Sequence, residues 1–382
     1  MARQITNGAT ATLRRTRYLR SSPPSLARIW VIAFLIVMVF LIDSARCQTR
    51  LASSAPVAAY GASLFAGGEK GFSGDGAEAQ GARFNDAAGL AVDRAGTMYV
   101  ADEHNHRIRM ITSAGQITTI AGTGAEATGG DGGPAHLAQL NTPSAIAVDA
   151  AGTIYVAELA SNRVRKITGG VITTLAGPSD LLQAPKGIAI APGGGVFVAA
   201  LGCNRVVRIS PRGAIQPFAG TGQSAFGGDG VLAVNTPLNG PYDVAVDSLG
   251  NVYIAEFNRI RKVGRDGLIT TIAGGEEQGS ASDGPAKAAR FRNIYALTVD
   301  RAGNVFVCDT NNHVVRRISA AGVVATIAGN GASRYSCSGQ LHPGESKPAM
   351  ALDLIAPSGV AISPAGEVYV SNGDCILRLT PR

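Results

Sequence analysis

Gly89-Leu-Ala-Val-Asp-Arg-Ala-Gly-Thr-Met-Tyr-Val-Ala101 decides the fold, because the chain repeats this sentence six times. The copies open at Gly89, Ala145, Gly187, Asp243, Ala296 and Gly359. Each holds a short apolar run, a Gly-centred turn and a second apolar run such as Thr97–Ala101. A run alternating basic and apolar residues follows, such as Arg107–Ile111, and most copies close on a segment like Ile117-Thr-Thr-Ile-Ala-Gly122. Self-similarity at this spacing is the signature of a repeat architecture. Asp93-Arg-Ala-Gly96 reads as a tight turn, since Asp starts turns and Gly supplies the positive φ that ends them. Alternation over Arg107–Ile111 is the period of a half-buried strand. Four short antiparallel strands per unit, stacked radially, make a propeller blade.

Counting strands sharpens the reading. Five copies carry their own fourth strand, and the sixth reaches Arg382 without one. An unassigned segment of matching pattern, Ala62-Ser-Leu-Phe-Ala-Gly67, precedes the first copy. The expected fold is all-β: a six-bladed β-propeller of four-stranded antiparallel blades, closed by this N-terminal strand completing the last blade. Such closure removes the open edge that a sheet protein must otherwise protect.

The residues also resemble a known family. Tyr99-Val-Ala-Asp-Glu-His-Asn-His-Arg-Ile-Arg109 and Phe306-Val-Cys-Asp-Thr-Asn-Asn-His-Val-Val-Arg316 look like the NHL repeat. The resemblance covers residues 57–382 and implies a β-propeller of the exported bacterial kind. It implies a binding platform; a minority of such propellers resemble lyases or lactonases with a metal in the central channel.

Charge and hydropathy describe the leader. The chain is 46% hydrophobic with 49 Gly and a formal net charge of +7. Residues 1–47 hold seven Arg, no Lys and only Asp43 as acid, so the remaining 335 residues sum to +1. A near-neutral body gives no electrostatic reason to bind nucleic acid. Ile29–Ile42 is an uninterrupted apolar run behind the Arg-rich start. Its 14 residues suit a signal-peptide core better than a full span of about 20. Residues 1–47 are therefore expected to be a signal peptide or signal anchor, 48–56 a linker and 57–382 the propeller, placed in the periplasm, the cell envelope or outside the cell. A monomer is expected, with Ile29–Ile42 as the one candidate membrane anchor.

Repeat starts are 56, 42, 56, 53 and 63 residues apart, whereas a bare blade takes about 40–45. The excess lies in inserts between each fourth strand and the next first strand. By propeller topology these loops share one face, where a protein or small-molecule ligand is expected to bind. Four inserts carry Asp75, Asp131, Asp229 and Asp283, each followed by Gly. A calcium reading finds one carboxylate per loop and no EF-hand spacing, so tight turns are expected there.

The second strands end in Asp102, Glu158, Ala200, Glu256, Asp309 and Asn372. Asp102, Glu158, Glu256 and Asp309 could hold a divalent cation such as calcium or zinc at the channel mouth, for a lyase or lactonase-like hydrolase. The competing reading pairs the acids with the Arg that opens the third strand: Arg107, Arg163 and Arg259. Repeated pairs suggest scaffold, and no cofactor is expected on that reading. His106 and His313 sit between strands, where local hydrogen bonds are expected. There is no Gly-x-Ser-x-Gly elbow, and the single Trp, Trp30, lies in the leader. Among five cysteines only Cys337 and Cys375 share a neighbourhood, so a disulfide could join them or both could be free thiols.

Overall fold

In four of the six first-to-second strand turns one carboxylate organises the backbone. Asp93 Oδ1 accepts the N–H groups of Ala95 and Thr97, both at 2.9 Å, and Gly96 takes φ +83°. Asp149, Asp247 and Asp300 repeat the arrangement. In the sixth copy Ser363 Oγ accepts the Glu367 N–H instead.

The computed structural model describes residues 59–337 and 339–382. The leader, its run Ile29–Ile42 and the linker 48–56 lie outside the described residues. Among the described residues, no helix is long and apolar enough to cross a membrane. Six antiparallel sheets follow in chain order. The first blade is Ala87–Val92, Met98–Asp102, Arg107–Ile111 and Ile117–Ala121, hydrogen-bonded in that order. The first strands of the other five are Pro143–Val148, Pro185–Ile190, Asp243–Val246, Ile294–Val299 and Pro357–Ile362.

The sixth blade is closed as expected. Tyr60–Gly67 pairs antiparallel with Cys375–Pro381, with Tyr60 opposite Pro381 and Gly67 opposite Cys375. The Arg382 N–H donates to the Ala59 carbonyl at 2.7 Å. One feature exceeds the four-strand expectation. Inserts return a short fifth strand to the outer edge of three blades, as Val231–Leu232, Gly284–Pro285 and Ser346–Pro348. These cover edge groups that would otherwise face solvent unpaired.

Apolar burial lies between blades in six wedges, each built largely from neighbouring blades. Insert residues Phe84, Leu140, Leu238, Phe291 and Leu354 plug these wedges and are fully buried. At the centre the inner strands approach closely. A Cβ on Gly89 would stand 2.6 Å from Ala145 Cα, so this level of the ring demands small residues.

A short turn links the second and third strands of each blade, and its last residue is left-handed in four blades: His106, Asn162, Asn204 and His313. Their side chains reach the next blade, which corrects the expectation of purely local bonding. His106 Nδ1 accepts the Thr142 N–H, and Asn162 Oδ1 accepts the Ala184 N–H. Asn204 Oδ1 accepts the Gly240 N–H, and His313 Nδ1 meets the Ile355 carbonyl at 2.6 Å, so it carries its proton there. Left-handed backbone favours Asn and His over branched residues, and the polar tip then joins blade to blade.

Candidate functional site

Strand direction alternates, so the long inserts and the second-to-third strand turns share one face. Four fully buried arginines hold that face together. Arg109 bridges Asp102 at 3.4 Å and loop Asp75 at 2.9 Å; Arg165 bridges Glu158 at 3.5 Å and Asp131 at 2.6 Å. Arg261 bridges Glu256 at 3.6 Å and Asp229 at 3.2 Å; Arg316 bridges Asp309 at 3.4 Å and Asp283 at 3.6 Å. Each guanidinium also donates to a carbonyl of its insert, as Arg109 does to Ser73 and Arg261 to Gly228. Each acid accepts a backbone N–H at the end of the insert: Asn85, Asn141, Asn239 and Arg292 in turn.

The acid–arginine pairing therefore holds in kind but shifts by two residues. Arg107 lies opposite Asp102 in register, yet its guanidinium donates to the carbonyls of Asn105 and Thr123 and lies over Phe72. Only Arg259 of the three expected partners pairs with its acid, Glu256. The shift has a physical reason: the third-strand Arg two residues on can also reach the loop carboxylate, and two acceptors satisfy a buried guanidinium better than one. Burial pushes the Asp102 carboxyl up to about 6, against the pull of Asn105, the Asn85 N–H and Arg109.

Asp102, Glu158, Glu256 and Asp309 are not brought together. Each is buried in its own blade against its own arginine. Among the described residues, no three His, Cys, Asp or Glu side chains gather as a metal site. The glycine-flanked aspartates serve as arginine partners, and Asp229 and Asp283 also accept from Thr271 and Thr326 of the outer strand.

Blades three and six lack the whole module. Blade three has Ala200 and Val207 at the two inner positions and only a short connection before it; blade six has Asn372 and Leu377. In blade six Asn372 still accepts the Ile355 N–H, while a Cys337–Cys375 disulfide, Cα–Cα 6.1 Å, fastens the insert. Of the two outcomes left open by the sequence, the bridge is the one found. Cys203 and Cys308 are free.

A second feature was missed in the sequence. The six inner strands wall a channel cavity of about 250 Å³ lined by Ser144, Lys186, Asp243, Tyr295 and Ser358, among others. Lys186 Nζ lies 3.3 Å from Glu103, which belongs to the turn after the second strand of blade one. Tyr242 and Tyr295 stack with centroids 4.6 Å apart and rings 14° from parallel. Burial, with Tyr295 beside it, raises the Tyr242 hydroxyl to about 12. Asp243 occupies a ring position that is Gly or Ala in the other five blades. Its oxygens accept the N–H groups of Val244 at 2.8 Å and Leu297 at 2.9 Å. Burial still pushes its carboxyl up to about 7. The signal was present: the opening residues of the six copies read Gly, Ala, Gly, Asp, Ala, Gly.

This architecture defines the class, a six-bladed propeller of repeated four-stranded blades with one elaborated face. Sequence comparison refines it. A family profile described as the Teneurin NHL domain matches residues 123–185 and 221–287, and one described as the NHL repeat matches 84–109. With the six-bladed fold, these matches support an NHL-repeat β-propeller for this chain. It is 30% identical over 282 residues to Teneurin-3 of Danio rerio, spanning 60% of this chain and 10% of that protein. The chain thus covers about a tenth of the length of such relatives. Among solved structures, an auxiliary nutrient binding protein from Bacteroides thetaiotaomicron superposes with TM-score 0.63 at 15% identity, covering 85% of this chain and 77% of that one. A gluconolactonase from Xanthomonas campestris superposes with TM-score 0.53 at 14% identity, covering 78% and 87%. At such identities these two are similar in fold alone.

Proposed function

We propose that the protein is an exported interaction scaffold whose binding surface is the long-loop face. One observation carries the reading. The long inserts lie on a single face, and five of them are fastened to the blades beneath, four by a buried arginine and one by a disulfide. Fastened loops are preorganised, so a partner pays less entropy on binding. The opposite face carries tight turns. Export is supported by the Arg-rich leader with its apolar run and by a disulfide, which persists in oxidising compartments. The teneurin likeness adds weight to a role in protein interaction.

Photo-crosslinking tests the surface. A benzoylphenylalanine at exposed Tyr335 or Gln223 on the loop face is expected to trap a partner in the cell-envelope or secreted fraction. The same group at Arg94 or Arg212 on the opposite face is expected to trap none. Trapping only from Arg94 and Arg212 would overturn the assignment. Mass spectrometry of the mature N-terminus, with fractionation, tests export and leader cleavage.

A further inference from the structure

The channel mouth breaks the rule that the ring obeys elsewhere. Gly89, Ala145, Gly187, Ala296 and Gly359 are small because neighbouring inner strands nearly touch there. Asp243 puts a carboxylate at that level. Departures from a fold's own local rule mark function more often than accident. Among the described residues no cation lies within ion-pair distance of Asp243, although Lys186 lines the same cavity. Each carboxylate oxygen accepts one backbone N–H, so each retains acceptor capacity.

Two serine hydroxyls of the lining are spent elsewhere. Ser144 Oγ donates toward the carbonyls of Ala157, Pro185 and Lys186. Ser358 Oγ is engaged with the Ala87 carbonyl and Ser371. Lys186 is committed to Glu103. What remains is an acceptor edge on Asp243, an aromatic surface on Tyr295, and two carboxylates against one ammonium. That combination attracts a cation, since a ring face and a carboxylate both favour positive charge. A cavity of about 250 Å³ admits a ligand of a few carbons.

We propose that the channel mouth binds a small aliphatic amine, its ammonium on the free edge of Asp243 and its methylene chain against Tyr295. The proposal is independent of what docks on the loops, so failure of either reading leaves the other standing.

Titration calorimetry of the full chain with 1,4-diaminobutane tests it, with sodium acetate as the anionic control. Saturable binding of the diamine and none of acetate is expected. Asp243→Asn and Tyr295→Ala are each expected to weaken it by about tenfold. Lys186→Met removes the like charge that lines the same cavity and is expected to tighten it severalfold. This variant keeps the test decisive if Asp243→Asn does not fold. The proposal is overturned if wild-type protein binds no diamine, if Asp243→Asn folds and binds it unchanged, or if Lys186→Met weakens it.

Discussion

The guanidinium of Arg165 lies 2.6 Å from Asp131, a surface-loop carboxylate 34 residues earlier in the chain. Its other side faces Glu158, which is wholly buried. One side chain thus joins the floor of a blade to the loop above it, and three other blades repeat the joint. The members are present or absent as a set. Blades with the inner acid have both the arginine and the loop aspartate, and blades three and six have none of the three. A buried charge left without its partner is costly, so the set is kept or lost together.

That interdependence can be measured. Arg165→Val leaves Glu158 buried and unpaired, and is expected to cost about 3–5 kcal/mol in urea unfolding. Glu158→Ala/Arg165→Val reproduces the Ala200 and Val207 of blade three and is expected to cost clearly less than Arg165→Val alone. A double variant as damaged as the single would mean that the salt bridge is not the reason for the pairing. Both variants should expose the insert around Asp131 to protease.

The disulfide takes the arginine's place in blade six. Cys337 and Cys375 are 38 residues apart, and closing such a loop contributes about 4 kcal/mol by loop entropy. Reduction, or Cys375→Ala, is expected to lower the unfolding midpoint. It should also open the insert before Pro357 to proteolysis, while the inserts of blades one, two, four and five stay resistant.

Asp243 should make stability depend on pH. Its folded value of about 7 stands above the ordinary unfolded carboxyl of about 4. The folded state then holds the proton more tightly, so protonation favours folding. Stability is expected to fall as pH rises from about 4 to about 7 and to level off above. Asp243→Asn cannot titrate and should flatten this part of the profile. Urea unfolding at pH 5 and pH 8 reads the difference; an identical pH response in both proteins counts against it.

Closure by the N-terminal strand gives a sharp truncation test. A chain beginning at residue 59 keeps Tyr60–Gly67 and is expected to unfold cooperatively. A chain beginning at residue 68 leaves Cys375–Pro381 with a bare edge, and is expected to aggregate or melt at much lower temperature. Equal melting of the two by calorimetry would show that the strand is dispensable.

Much of this was legible because it repeats. Six copies of one sentence revealed the blades, and the unassigned segment at Ala62 revealed how the ring closes. The joint was seen only in outline. Arg107 and Arg109 stand two apart on the same face of one strand, and sequence alone ranks the nearer first. What decides between them is Asp75, 34 residues upstream, whose position depends on the insert's fold. The channel site was hidden for the opposite reason. Glu103 and Lys186 are 83 residues apart and meet only when blades one to three stand side by side. Asp243 stands at a position whose smallness follows from close contacts between inner strands, which residue order alone does not display.

The blade shared between the two chain ends also has a mechanical meaning. Tyr60 faces Pro381 at the end of an antiparallel pair, so both ends leave the ring at one corner. Tension drawing residue 59 and residue 382 apart would load that pair from its tip. Its hydrogen bonds would break one after another, as in a zipper, and would not share the load as in a shear joint. The ring would open at this seam first, with the other five blades still whole.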